Sequence, residues 1–212
     1  MKNNQGGFTL VEIAIVLVII GLLLGGVLKG QELINSAKVK NFATDFRNTP
    51  LFIYGYQDKF KRLPGDDNGA VARFGSTTLD GNGNGSIAGN YNSVTLTDES
   101  ARFWQHVRLA GLAAGSTDFS TAASAGFPTN ADGGRIGIQM TTPITNMTGS
   151  YFVCSEGIQG KFAKQLDISM DDGNTATGSV QVMAQGYSGT ALAATATASI
   201  VDGTTYTVCM SF

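Results

Sequence analysis

The sequence predicts an α+β protein. A long N-terminal α-helix, membrane-spanning in its first half, packs on a C-terminal antiparallel β-sheet. Three observations carry this. A run of about 21 mostly apolar residues begins at Phe8 and is long enough to cross a bilayer as a helix. Apolar residues at helical spacing then continue to about Phe60: Leu33, Ile34, Ala37, Val39, Phe42, Ala43 and Phe46. From Arg135 the pattern turns to short alternating or β-branched segments separated by turn residues. Helix first and sheet later is the α+β order.

The 212 residues suffice for one membrane helix and one globular domain with a real core. Five stretches follow in order: a polar leader at 1–7, the span at 8–28, an amphipathic continuation at 29–60, a loop region with a helix near 98–114 at 61–134, and the sheet at 135–212. Charged residues make up only 14% and the net charge is −2. That balance lacks the basic footprint of a nucleic-acid partner, so none is expected. Lys29, Lys38, Lys40, Arg47, Lys59, Lys61 and Arg62 cluster in the first third and read as a solvated helix face.

The N-terminus reads Met-Lys-Asn-Asn-Gln-Gly-Gly-Phe-Thr-Leu-Val-Glu before the unbroken apolar stretch. A secretory signal peptide needs a basic start, an apolar core of 7–15 residues and a small-residue cleavage site. Here the leader has one basic residue, the apolar run is too long and Glu12 interrupts its start. A plain membrane anchor explains the length but neither Glu12 nor the Gly6-Gly7-Phe8 junction. An ionisable group inside a membrane segment is expensive and marks function by default.

Gly7-Phe8-Thr9-Leu10-Val11-Glu12 resembles the processing site of type IV pilins and the related type II secretion pseudopilins. The resemblance covers residues 1 to about 50. It implies cleavage after Gly7 by an inner-membrane prepilin peptidase, N-methylation of Phe8, and a role for Glu12 in assembly. It further implies a pilin-like layout and assembly machinery in the inner membrane. Glycine at the cut leaves the backbone free of a Cβ. Glu12 lies one helical turn after Phe8 on the same face, near a helix N-terminus that favours a carboxylate. The resemblance implies that Glu12 of one subunit meets the Phe8 amine of a neighbour. The alternative is that Glu12 satisfies only its own chain's N-terminus. The count of basic residues, Lys2 before the span and Lys29, Lys38 and Lys40 after it, favours a cytoplasmic C-terminal side. The family signal and the cysteines place that side outside.

Pro50 disfavours helical geometry at Thr49 and is expected to kink or break the rod. Family members often carry a proline nearer the membrane end, at the position of Lys29. This chain has Gly21, Gly25, Gly26 and Gly30 instead. Each costs a helix roughly 1 kcal/mol relative to alanine. The stretch is a candidate for unwinding when subunits pack, or for close helix–helix approach.

In the globular part, Leu63-Pro64-Gly65-Asp66-Asp67 is a turn cluster leading into Asp80-Gly81-Asn82-Gly83-Asn84-Gly85-Ser86. Oxygen-bearing residues at positions 1, 3 and 5, glycine at 6 and Ser86 at 7 match the opening of a calcium loop. Tyr91 stands at position 12, so the EF-hand pattern fails. Glu99 or Asp98 could close the site, and Asp66 or Asp67 could reach it. The sequence thus requires no cofactor, and calcium is the candidate ligand of Asp80, Asn82, Asn84, Ser86 and Glu99. The alternative is a turn-rich loop built from residues that tolerate positive φ. Thr97 or Ser100 is the expected cap of the helix near 98–114, and Gly115 its end. His106, without a second His or Cys nearby, reads as a polar surface or packing residue.

Strands are expected at Arg135–Met140, Ser150–Cys154, Val180–Gln185, Thr195–Val201 and Thr204–Met210. Asp202-Gly203 should turn the last two into a hairpin. Gly160–Leu166 reads as a short helix, and Met170-Asp171-Asp172-Gly173 as a turn. Cys154 and Cys209, an even pair beyond a membrane segment, suggest one disulfide in an oxidising compartment; two buried free thiols are the alternative.

A single His and the lack of any Gly-x-Ser-x-Gly, P-loop or HExxH motif argue against an enzyme. The leading expectation is a structural subunit of a type IV pilus filament serving adhesion, motility or surface attachment. Its partners would be other copies of itself, the peptidase, the assembly machinery and, before assembly, membrane lipid. The precursor would sit in the bacterial inner membrane and the product on the cell surface. A pseudopilin or minor pilin of a secretion or DNA-uptake machine is the alternative, and a membrane-anchored binding module the third.

Overall fold

A computed structural model describes residues 8–75 and 77–212. The chain divides into two compact units, Met1–Lys38 and Val39–Phe212. Helix α1 (Leu10–Phe60) runs through both. It is followed by α2 (Ala70–Phe74), α3 (Glu99–Leu109), β1 (Ile136–Gln139), β2 (Phe152–Gln159), α4 (Gly160–Met170), β3 (Val180–Met183) and β4 (Thr205–Ser211). The α+β arrangement, a long N-terminal helix on a four-stranded antiparallel sheet, is the one the sequence predicts.

In the first unit α1 is a bare apolar helix. Every large apolar side chain from Phe8 to Leu28 is exposed, from 46% at Ile20 to 86% at Leu10. An 18-residue window has a mean hydropathy of 2.8 and no buried share, which suits a membrane span by length and composition.

In the second unit the remainder of α1 covers one face of the sheet, whose order is β1-β2-β4-β3. Ile136, Ile138, Val153, Val208, Val180 and Val182 point from that face into a core with Phe42, Phe46, Ile53 and Tyr56 of α1. Residues of α3 and α4 complete it, with the Phe42 ring 6.1 Å from that of Phe162. The opposite face carries Phe152, Cys154, Met183 and Cys209. Loop residues Tyr91, Ile144, Met147 and Tyr187 cover it, so both faces carry buried apolar side chains. Gly137 permits one of these loops to lie against β1, because a Cβ there would overlap the Tyr91 carbonyl.

Pro50 neither ends nor splits α1. Its ring costs the helix about 3 kcal/mol. Phe46, Ile53 and Tyr56 on either side are fully buried, each contributing about 1.5–3 kcal/mol, so packing outweighs the break. The helix ends at Phe60, where Lys61 turns left-handed at φ 57° and its N–H reaches the Gln57 carbonyl at 2.8 Å.

The hairpin expected at Asp202-Gly203 does not form. β4 is an interior strand, with β2 on one side and β3 on the other, so it has no edge left for Thr195–Val201. Ala194, just before that segment, bridges to Met183, the Thr195 N–H reaches the Val182 carbonyl at 2.7 Å, and Thr197–Ser199 forms a 3-10 turn. Asp202 is held by Lys164 at 2.6 Å, and the Thr204 carbonyl accepts the Gly160 N–H.

α3 also stops short of Gly115. Gly111 takes φ 75° two residues after Leu109, and the Leu112 N–H turns back to the Val107 carbonyl at 2.9 Å. The N-cap position belongs to Asp98 rather than Thr97 or Ser100, and the Asp98 carboxylate accepts the Ser93 hydroxyl instead of capping the helix. α4 is longer than expected, and the short α2 was not foreseen.

Candidate functional site

The start of α1 is built by two residues. The Glu12 carboxylate accepts both the Thr9 N–H and the Thr9 hydroxyl at 2.8 Å. The Thr9 hydroxyl accepts the Glu12 N–H at 3.2 Å. This is a capping box, with Thr9 at the N-cap and Glu12 three residues on. Its Thr-x-x-Glu signature stands in the sequence, but the sequence reading assigned Glu12 only to assembly and to the N-terminal charge. Phe8 projects fully into solvent one residue earlier. Gly7 and the rest of the leader lie outside the described residues.

Downstream of the cap, α1 offers a continuous apolar surface and small-residue notches. A Cβ at Gly21, Gly25, Gly26 or Gly30 would meet nothing within 4 Å. All four are helical. So extensive an exposed apolar surface marks an interaction with membrane or protein.

The loop at 80–87 is anchored by two buried carboxylates. Asp66 accepts the amides of Asn84 (3.0 Å) and Gly85 (2.8 Å). Glu99 accepts those of Asn82 (3.0 Å) and Ala88 (2.9 Å). Asn82 and Asn84 each turn their side-chain oxygen to the amide two residues on, and Asp80 accepts the Val71 N–H at 2.7 Å. A Cβ at Gly81 would overlap the Asp66 backbone, so the loop can close over Asp66 only with glycine there. Of the expected calcium ligands, Asp80, Asn82 and Glu99 line one open groove together with Asp98, while Asn84 and Ser86 do not line it. The same groove holds the Arg102 guanidinium, which donates to the Asp80 carbonyl and to Thr97 at 2.5 Å. Its fixed positive charge opposes a divalent ion there.

Beside this loop His106 is fully buried. Its Nδ1 accepts the Gly65 N–H at 2.9 Å, so the other nitrogen carries the proton and donates to the Leu79 carbonyl at 2.8 Å. Burial holds its pKa below the ordinary value. Tyr56, Arg73 and the Gly69 amide all donate to Asp67. Burial alone would raise the Asp67 carboxyl, but the hydrogen bonds from Arg73 and Tyr56 leave it below the usual range. These groups are struts of the turn that begins at Leu63.

Cys154 and Cys209 face each other across β2 and β4 and form a disulfide with Cα atoms 4.1 Å apart.

Residues 2–28 match the family described as the prokaryotic N-terminal methylation motif, the signature of type IV pilins and pseudopilins. No curated protein and no solved structure matches the chain.

Proposed function

We propose that this protein is a structural subunit of a type IV pilus. It is made as a membrane-anchored precursor, cut after Gly7 by prepilin peptidase and N-methylated at Phe8. Its apolar helix then moves from lipid into the core of a helical filament that serves adhesion, motility or surface attachment. The methylation motif, leading directly into a fully exposed apolar helix that carries Glu12, supports this reading. The motif fits pilin-like and pseudopilin proteins alike and points to a structural rather than an enzymatic role. The disulfide between β2 and β4 suits a domain that works outside the cytoplasm, as this reading requires.

Electron microscopy and intact mass of sheared surface material test the proposal together. Abundant long fibres whose subunit begins at N-methyl-Phe8 are the expected result. Surface protein that retains residues 1–7 overturns the processing. Correctly processed protein found only in short, cell-bound assemblies assigns the chain to the pseudopilins.

A further inference from the structure

The end of α4 and the loop after it gather three carboxylates, Asp167, Asp171 and Asp172. One oxygen from each lies within 4.8 Å of the other two. Asp167 is fully buried, and among the described residues neither of its carboxylate oxygens has a hydrogen bond of good geometry. The Gly173 N–H offsets only part of the burial. A buried carboxylate is ordinarily paired or hydrogen-bonded, because desolvation without compensation is costly. The helix adds to the strain of charge. The C-terminal end of a helix is its negative pole, and the last turn of α4 contains no basic residue. The two lysines of α4 are engaged elsewhere, Lys164 with Asp202 and Lys161 over the Phe162 ring. Burial first, then the neighbouring Asp172 and Asp171 charges, push the Asp167 carboxyl up to about 6.

The two outer carboxylates are held in place. Asp171 accepts the Val180 N–H at 2.7 Å. Asp172 accepts the Asn174 N–H and the Thr177 hydroxyl, both at 2.8 Å. Each retains free lone pairs, since a carboxylate has about four acceptor sites. The loop therefore positions two oriented acids against one that is buried and poorly satisfied.

We propose that Asp167, Asp171 and Asp172 bind a hard divalent cation, with calcium preferred, that ties the end of α4 to the loop leading into β3. The donor set is entirely oxygen, which suits calcium or magnesium rather than a softer metal. Opposite oxygens span about 5 Å across a calcium ion and only about 4 Å across magnesium, which also demands stricter geometry. Three carboxylates from one chain suit the flexible shell of calcium better than magnesium, which sheds its waters reluctantly and is seldom held by protein ligands alone. Unlike the groove beside Asp80, this cluster has no guanidinium among its partners in the described residues.

The test is calcium titration of the full chain in detergent, read by calorimetry and by thermal melting with and without chelator, with magnesium in parallel. Calcium at about a hundred times its Kd should raise the midpoint by about 5–10 °C. Chelator should reverse the rise, and magnesium should bind at least tenfold more weakly. Asp167→Asn tests the buried ligand. Asp172→Asn removes an exposed one and keeps the measurement available should the first variant fold poorly. Both should weaken calcium at least tenfold, whereas Asp80→Asn should leave it unchanged. Absence of any calcium-dependent heat or shift in the wild type overturns the proposal. So does binding that survives Asp172→Asn but is lost in Asp80→Asn, which would place the ion in the 80–87 loop.

Discussion

Thr9 and Glu12 hold each other: the threonine hydroxyl takes the glutamate N–H, and the glutamate carboxylate takes the threonine N–H. Glu12 is then not a stray charge at the edge of an apolar run. It ends the helix cleanly and satisfies amides that would otherwise face lipid unpaired. In the proposed filament subunit, this gives the carboxylate a partner within its own chain before assembly.

The capping role of Glu12 and its proposed role in assembly separate by mutation. Thr9→Val removes the hydroxyl half of the cap, at about 1 kcal/mol of local helix stability, but leaves the carboxylate for assembly. Filament yield should stay near wild type. Glu12→Ala removes both functions, so protein cut at Phe8 should accumulate in the membrane while filaments fall below about a tenth. Mass spectrometry of the membrane fraction and microscopy of the sheared fraction read the two outcomes. Wild-type filament from Glu12→Ala would end the assembly role.

The disulfide joins the two longest strands and closes a loop of 55 residues. On the chain-entropy view it contributes about 4 kcal/mol. Cys154→Ser with Cys209→Ser should therefore lower the melting midpoint by about 8–16 °C for a domain of this size. Reductant should do the same to the wild type and nothing further to the variant. A drop of less than about 2 °C in the circular-dichroism melt would show that packing around Phe152 and Met183 holds β2 and β4 without it.

His106 predicts an acid sensitivity with a defined sign. Its folded pKa lies below the unfolded value of 6.5, with burial as the largest cause. At pH below 6.5 the unfolded chain binds more protons at this site, so stability rises with pH and is fully present above 6.5. It is lost as pH falls through 6.5 toward the lower folded value. Protonating Nδ1 would set two donors, the ring and the Gly65 N–H, against each other. Melts at pH 7.5 and 5.5 should differ less in His106→Gln than in the wild type. An equal pH response in the two proteins would remove His106 as the source.

The span was legible because membrane insertion depends on composition and length, both local properties. Strand pairing is not local. Asp202-Gly203 carries a hairpin signal, yet β4 already has β2 and β3 as neighbours, and no reading of residues 195–210 alone reveals that. Pro50 was misjudged for the same reason, since the packing that keeps α1 continuous comes from residues far along the chain. That Asp66 and Glu99 accept the amides of the 80–87 loop is likewise not local, since each lies more than ten residues from the amides it holds. The sequence shows Met170-Asp171-Asp172-Gly173 as a turn and nothing more. The overlooked partner was Asp167, four residues before Asp171, the spacing that brings side chains together at a helix end.

The loop at 80–87 makes the sharpest local prediction, because its two anchors hold different amides. Glu99 takes Asn82 and Ala88, and Asp66 takes Asn84 and Gly85. Hydrogen bonds to a charged acceptor contribute about 1.5–3 kcal/mol each. Glu99→Ala should speed hydrogen exchange at Asn82 and Ala88 by about tenfold or more while Asn84 and Gly85 stay slow, and Asp66→Ala should do the converse. Residue-resolved exchange on the full chain reads both variants. If either substitution releases all four amides together, the loop is a single cooperative unit and the two carboxylates are not separate anchors. If neither changes the rates, the Asx turns of Asn82 and Asn84 hold the loop on their own.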